Sequence, residues 1–207
     1  FHANTTYETF VGGLAPKASE AGLTFEPRAG HLLRAIAAAK ETPYLLVVDE
    51  INRADLAKVM GEALYLFEPE NESPRMLELE HSFSEIGGSV VEMPRNLGLL
   101  GTMNTADRSI AIVDVAVRRR FAFLDMWPDR EVVEKTGIDL AVDAFDRLVS
   151  IFLEYAPDDA FNLLPGHSYF LSDSVEHLKM KLRNSLAPLL REYLRQGYVA
   201  GFAGEIR

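Results

Sequence analysis

The chain contains no cysteine, which excludes disulfides and thiolate metal sites and leaves the redox compartment open. Positive charge is scarce: 21 Lys and Arg stand against 31 Asp and Glu, for a formal net charge of −10 and a pI near 5.0. A self-sufficient nucleic-acid surface presents a basic face, so this balance argues against one. No apolar run approaches the roughly 18 residues that a membrane span requires. Nothing resembles a signal peptide, and there are no internal repeats or low-complexity tracts. His31, His81 and His177 are scattered without ligand spacing, and no Ser-His-Asp arrangement emerges. The chain opens on Phe1 with no initiator methionine; the expectation is that it starts inside a longer protein.

What remains is an ordinary globular composition. Of 207 residues, 48% are hydrophobic and 25% charged, enough for one domain with a real core and a smaller appendage. A short helical stretch in "YETF" breaks at Gly12 and Gly13. Leu32, Leu33, Ile36 and Ala37 then recur at helical spacing, and Pro43 stops that run. "YLLVVDE" reads as a central parallel strand, buried on both faces, that ends in two carboxylates. "ADLAKVMGEALYLFE" returns to helix. "RMLELEHSFSEIGGSVVEMP" reads as a hairpin around Gly87 and Gly88. A second buried strand spans residues 96–103, a short helix follows over 110–117, and the apolar part of "RRRFAFLDM" is a further strand. After Pro128 the period is helical throughout. The predicted architecture is α/β: a parallel sheet flanked by helices over residues 1–128, then an α-helical domain over 129–207.

The chemistry sits at strand ends. In open parallel sheets ligands bind beyond the carboxyl ends of the strands, and two strands here end in polar clusters: Asp49 with Glu50, and Thr102 with Asn104. Were the strands neighbours, both clusters would share one crevice. One carboxylate can then hold a Mg²⁺ shell through water, because that hard ion prefers oxygen. The other can orient or deprotonate a water that attacks a phosphoryl group, and Asn104 can hold that water without carrying charge. The plainer alternative is two strands surfacing into solvated turns. Arg118, Arg119 and Arg120 lie together at a helix end in an acidic chain. Helix-end complementarity accounts for cations there, and guanidinium groups can also neutralise charge on a phosphoryl group, including one bound by a neighbouring subunit.

"VVDEINRADLAKVMGEALYLFE", "NLGLLGTMNTADRSIAIVDVAVRRRFAF" and "PGHSYF" together resemble the AAA+ domain of the McrB type, a motor of modified-cytosine restriction systems grouped with dynein-related and MoxR-like AAA ATPases. The resemblance is firmest over residues 44–68 and 96–124. It implies a P-loop NTPase-like fold with a C-terminal helical lid, a homo-oligomeric ring such as a hexamer, and Mg²⁺ with GTP or ATP as substrate. By the same resemblance Asp49 supports Mg²⁺ through water, Glu50 activates the attacking water and Asn104 is the sensor. Thr105 and Asp107 complete the signature, and Arg119, supported by Arg118 and Arg120, reaches a neighbouring subunit. Gly166, His167 and Ser168 match a lid motif near the nucleotide. The resemblance also implies a cytoplasmic protein with a McrC-like nuclease partner, and DNA held by a domain outside this chain.

One departure is clear. The chain contains no G-x-x-x-x-G-K-[ST], the loop whose backbone cradles phosphates. Gly12-Gly13 is followed by "LAPKA" and Gly87-Gly88 by "SVVEM". In the family that loop lies N-terminal to the stretch where this chain begins, so truncation is the expected cause and weak nucleotide binding the expected result. Two alternatives stand beside an NTPase: a loop-less ring module that lends an arginine to an active partner, and a MoxR-like or dynein-related remodeller of proteins.

Overall fold

In the computed structural model of the chain, residues 1–19, 22–68, 75–104 and 113–206 are described. Thr105 and Asp107 lie outside them. Two compact units form, Phe1–Phe123 and Leu124–Arg207.

In the first unit, α1 (Tyr7–Phe10) is started by Thr6, whose hydroxyl accepts from the Thr9 N–H while the Thr9 hydroxyl accepts from Thr6 N. That reciprocal cap satisfies donors a four-residue helix cannot satisfy itself. An antiparallel hairpin follows, β1 (Gly12–Ser19) with β2 (Gly22–Ala29). The sequence pattern gives no hint of it, because Pro16, Pro27 and paired glycines read as loop. Gly30 N–H donates to Val11 O at 2.7 Å. A Cβ on Gly30 would sit 2.5 Å from the Phe10 backbone, so only glycine allows the approach. Helix α2 (His31–Ala39) buries Leu32, Leu33, Ile36 and Ala39 on one side, as the spacing predicts.

A further sheet is parallel. β3 (Tyr44–Val48) pairs with β6 (Leu97–Gly101), with Tyr44 opposite Leu97 and Val48 opposite Gly101. Between them come a 3₁₀ turn at Ile51–Arg53, helix α3 (Leu56–Met60), a 3₁₀ segment Gly61–Phe67, and the hairpin β4 (Met76–Phe83) with β5 (Gly88–Glu92). Helix α4 (Val115–Arg118) follows, capped by Asp114. Helices and a parallel strand pair are thus present as expected. Burial of β3 on both faces is not: Tyr44, Leu45 and Val47 are exposed, and only Val48 is buried. The reason is alternation: Leu46 and Val48 turn to the core, while Leu45 and Val47 lie on the opposite face, which no described element covers. Residues 121–129 form no strand either; they are irregular.

The second unit is helical. Helix α5 (Arg130–Glu134) is capped by Asp129, and α6 (Asp139–Tyr155) buries Ala141, Phe145, Leu148 and Phe152 along one stripe. The long helical stretch after Ser174 is divided into α7 (Val175–Lys181), a π turn at Leu182–Leu186 and α8 (Ala187–Arg195). Pro188 lacks the N–H that an uninterrupted α-helix needs. Helix α9 (Ala203–Ile206) closes the chain. Edge-on contacts of Phe145 with Phe170 and Phe152 with Phe202, both at 5.3 Å between ring centres, build the core. No helix among the described residues is long and apolar enough to cross a membrane.

Candidate functional site

The parallel register decides what meets at the edge of the sheet. Since Val48 lies opposite Gly101, the next residues along each strand, Asp49 and Thr102, emerge side by side. Thr102 N–H donates to Val48 O at 3.0 Å, and Thr102 O accepts from Ile51 N at 2.8 Å. The backbone of Thr102 therefore brackets the acidic pair. Its hydroxyl donates to Asp49 Oδ1 and accepts from the Glu50 N–H at 3.2 Å. A Cβ on Gly101 would come within 2.8 Å of Ile51 Cδ1, so the turn packs directly on the strand end.

Glu50 itself is unusual. Its φ of +54° and ψ of +48° place it in the left-handed region, and among the described residues it is the one non-glycine with positive φ. Such a conformation costs on the order of 1–3 kcal/mol and persists where surrounding structure over-determines it, frequently at functional sites. Here the bonds to Thr102 supply that determination. The Glu50 carboxylate is half-buried, with Arg53 Nε 3.2 Å from Oε2.

Asn104 is tied to the same turn: the buried Asn52 donates from Nδ2 to Asn104 O at 3.2 Å. Among the described residues Asn52 Oδ1 has no hydrogen-bond partner, and Asn52 lines a cavity of about 190 Å³ with Asp55 and Asp114. The Asp55 carboxyl is held below the usual carboxylate range by the Lys58 side chain first and the Lys58 N–H second.

The three arginines have different surroundings. Arg120 is committed to its own fold: it pairs with Glu68 and donates to Ala116 O at 2.6 Å. The Arg118 guanidinium lies 5.1 Å from the centre of the Phe123 ring, within cation–π range. Arg119 is exposed, and its guanidinium has no ion pair among the described residues. Gly166, His167 and Ser168 belong to the second unit, where His167 Nδ1 accepts from the Asp129 N–H at 3.0 Å. That bond fixes the start of α5.

The structure thus ties Asp49 and Glu50 to Thr102, which the sequence placed in the second polar strand end without a separate role, and ties Asn104 to Asn52, which sequence reasoning passed over. The parallel register sets the role of Thr102, and a sequence does not print register. As for a cation, the Thr102 bond uses Asp49 Oδ1 and leaves Oδ2 for a hydrated hard ion, so the donor set fits Mg²⁺ held through water.

The family model described as the AAA domain, dynein-related subfamily, matches residues 1–121. The chain belongs to this AAA family. Over 93% of its length this AAA chain is 31% identical to the type IV methyl-directed restriction enzyme EcoKMcrB subunit of Escherichia coli strain K12, of which the match covers 46%. Over 52% of its length it is 25% identical to the type II restriction enzyme BsuMI component YdiS of Bacillus subtilis strain 168, of which the match covers 34%. The AAA chain is therefore of the McrB type and spans about half the length of the first of these relatives and a third of the second. Membership brings nucleotide and, typically, Mg²⁺ use as family properties.

Proposed function

We propose that the first unit carries part of the hydrolytic site of a Mg²⁺-dependent AAA NTPase acting on GTP or ATP, within a restriction system. The observation that carries this reading is the sheet edge: an acidic pair and a polar strand end in parallel register, with the second acid held in a left-handed turn. Mg²⁺, when bound, supplies charge neutralisation at the phosphates. Asp49 holds its water shell through the free carboxylate oxygen. Glu50 takes the proton of the attacking water, and Asn104, anchored by Asn52, orients that water. Arg119, the guanidinium left open, acts across a ring interface on a neighbouring subunit's phosphoryl group. Thr105 and Asp107 complete the nucleotide contacts from the segment after Asn104. The helical unit serves as lid through Gly166, His167 and Ser168.

The names of the two relatives support a restriction context over protein remodelling. In that context the protein is cytoplasmic and forms a ring such as a hexamer. It couples hydrolysis to DNA movement and cleavage with a McrC-like nuclease, and a separate domain holds the DNA. The test is Glu50→Gln in the full-length gene product. Turnover should fall by about 100-fold or more with nucleotide affinity retained, as removal of a general base does. Equal turnover rejects the reading.

A second reading rests on Arg119, exposed and without an ion pair among the described residues: the chain lends its arginine to an active partner. Mixing it with a loop-containing homologue should then stimulate that partner, and Arg119→Ala should abolish the stimulation. No stimulation counts against it.

A further inference from the structure

We propose that Thr102 is the positioning residue of this site: its single hydroxyl orients the metal-holding carboxylate and the proton-accepting glutamate together. The inference rests on the hydrolytic reading above and gives a role to a strand-end residue to which that reading assigns none. A hydroxyl has one donor and two acceptor lone pairs. In Thr102 the donor goes to Asp49 Oδ1, and one lone pair takes the Glu50 N–H at 3.2 Å. That bond engages Oδ1 and leaves Asp49 Oδ2 without a hydrogen bond among the described residues. Glu50, whose backbone is in the left-handed region, has its N–H fixed at the same oxygen atom. The two acids are adjacent in sequence and would otherwise diverge, since neighbouring residues at a strand end point to opposite faces. The Thr102 main chain, bonded to Val48 O and to the Ile51 N–H, keeps the hydroxyl between them. Arg53 pairs with the Glu50 carboxylate at 3.2 Å and has no ion pair with Asp49 among the described residues, so it does not couple the two acids.

A hydroxyl that orients a metal-holding carboxylate has a particular signature. Its loss weakens the response to metal more than the binding of nucleotide, because the phosphate contacts are elsewhere. Thr102→Val keeps the shape and removes the hydroxyl, and Thr102→Ser keeps the hydroxyl. In the full-length gene product, Thr102→Val should raise the Mg²⁺ concentration for half-maximal turnover by about 10-fold or more, the usual scale for removing a partner of a metal-holding carboxylate. Thr102→Ser should restore it to within about twofold of the unaltered protein.

Amide exchange at Glu50, followed by NMR without nucleotide, reads the geometry independently of turnover. It should be slow in the unaltered protein and in Thr102→Ser, and fast in Thr102→Val. A Glu50 amide that exchanges at an unprotected rate in the unaltered protein overturns the proposal, and that measurement stands even where Thr102→Val fails to fold. Protection that survives in folded Thr102→Val overturns it too. Failure of the hydrolytic reading looks different: Glu50→Gln would then turn over like the unaltered protein, while the exchange data would still decide the role of Thr102.

Discussion

The two units leave apolar surface open in different places. In the helical unit Phe152, Phe170 and Leu178 are at or below 1% exposed, and the aromatic rings meet edge to face within the same unit. In the α/β unit Leu32, Leu33 and Met60 on its helices are as well buried, yet the parallel sheet is not: Leu45 is 57% exposed, Val47 55% and Leu100 50%. Its hairpin β1–β2 shows the same tendency. Register places Leu14, Pro16, Ala18, Leu23, Phe25 and Pro27 on one face, and Leu14, Leu23 and Phe25 are exposed. Parallel strands are ordinarily covered on both faces, and contiguous apolar surface marks a place where something else packs. The helical unit exposes apolar residues too, on helix surfaces such as Leu153 at 66% and Met180 at 57% and in its first residues at Leu124 and Met126. The α/β unit exposes them along strand faces and leaves the Arg119 guanidinium without an ion pair among the described residues.

That contrast can be broken most sharply at Arg119. If this guanidinium acts across subunits, Arg119→Ala should reduce turnover of the assembled protein by roughly 10³- to 10⁵-fold, the range for an arginine supplied in trans. Thermal stability should stay unchanged, because the side chain is exposed and has no ion pair among the described residues. Steady-state hydrolysis beside a melting curve makes the comparison. A loss of stability would show that Arg119 is structural, as Arg120 is. Next in size is the helical core: Phe152→Ala removes a fully buried ring and should cost about 3–5 kcal/mol in urea unfolding of the second unit. A loss below about 1 kcal/mol would mean that this core is loosely packed.

How far the sequence discloses all this depends on which force sets each feature. Strand β3 was legible because five apolar residues end abruptly in Asp49 and Glu50. The hairpin at Gly87 and Gly88 was legible from its glycines, and the all-helical unit from the period after Pro128. The hairpin Gly12–Ala29 was not, since its prolines and glycines argue for loop and only pairing across eight residues a strand makes it a sheet. The strand expected in "RRFAF" was read from apolar residues alone, and a strand also needs a neighbour. At the site, the types of the residues gave Asp49, Glu50 and Asn104 as candidates. Thr102 and Asn52 bind them together through register and a turn, long-range properties that no local pattern carries. Thr105 and Asp107 lie outside the described residues, and the structure adds nothing to what the resemblance implies for them.

The smaller predictions test the open side of the contrast. Leu45→Ala should change stability by no more than about 0.5 kcal/mol in the isolated chain, as exposed positions do, while the same change should weaken whatever association covers the sheet. A cost of about 2 kcal/mol or more in the monomer would mean that Leu45 is already buried in solution.

The smallest effect is electrostatic. Asp55 caps α3 beside the site and its carboxyl lies below the usual range in the folded chain, so the folded state prefers it ionised. Its contribution is therefore present above the unfolded value of about 3.9 and is lost as pH falls through the lower folded value. Asn caps a helix about as well as Asp and does not titrate. Asp55→Asn should accordingly leave the urea midpoint at pH 7 nearly unchanged, since the Lys58 pair at 3.1 Å is largely solvated. It should also reduce the loss of stability between pH 4 and pH 2. Identical acid profiles for the two proteins would mean that solvent screens this carboxylate completely and that the acid sensitivity of the first unit arises at its other carboxylates.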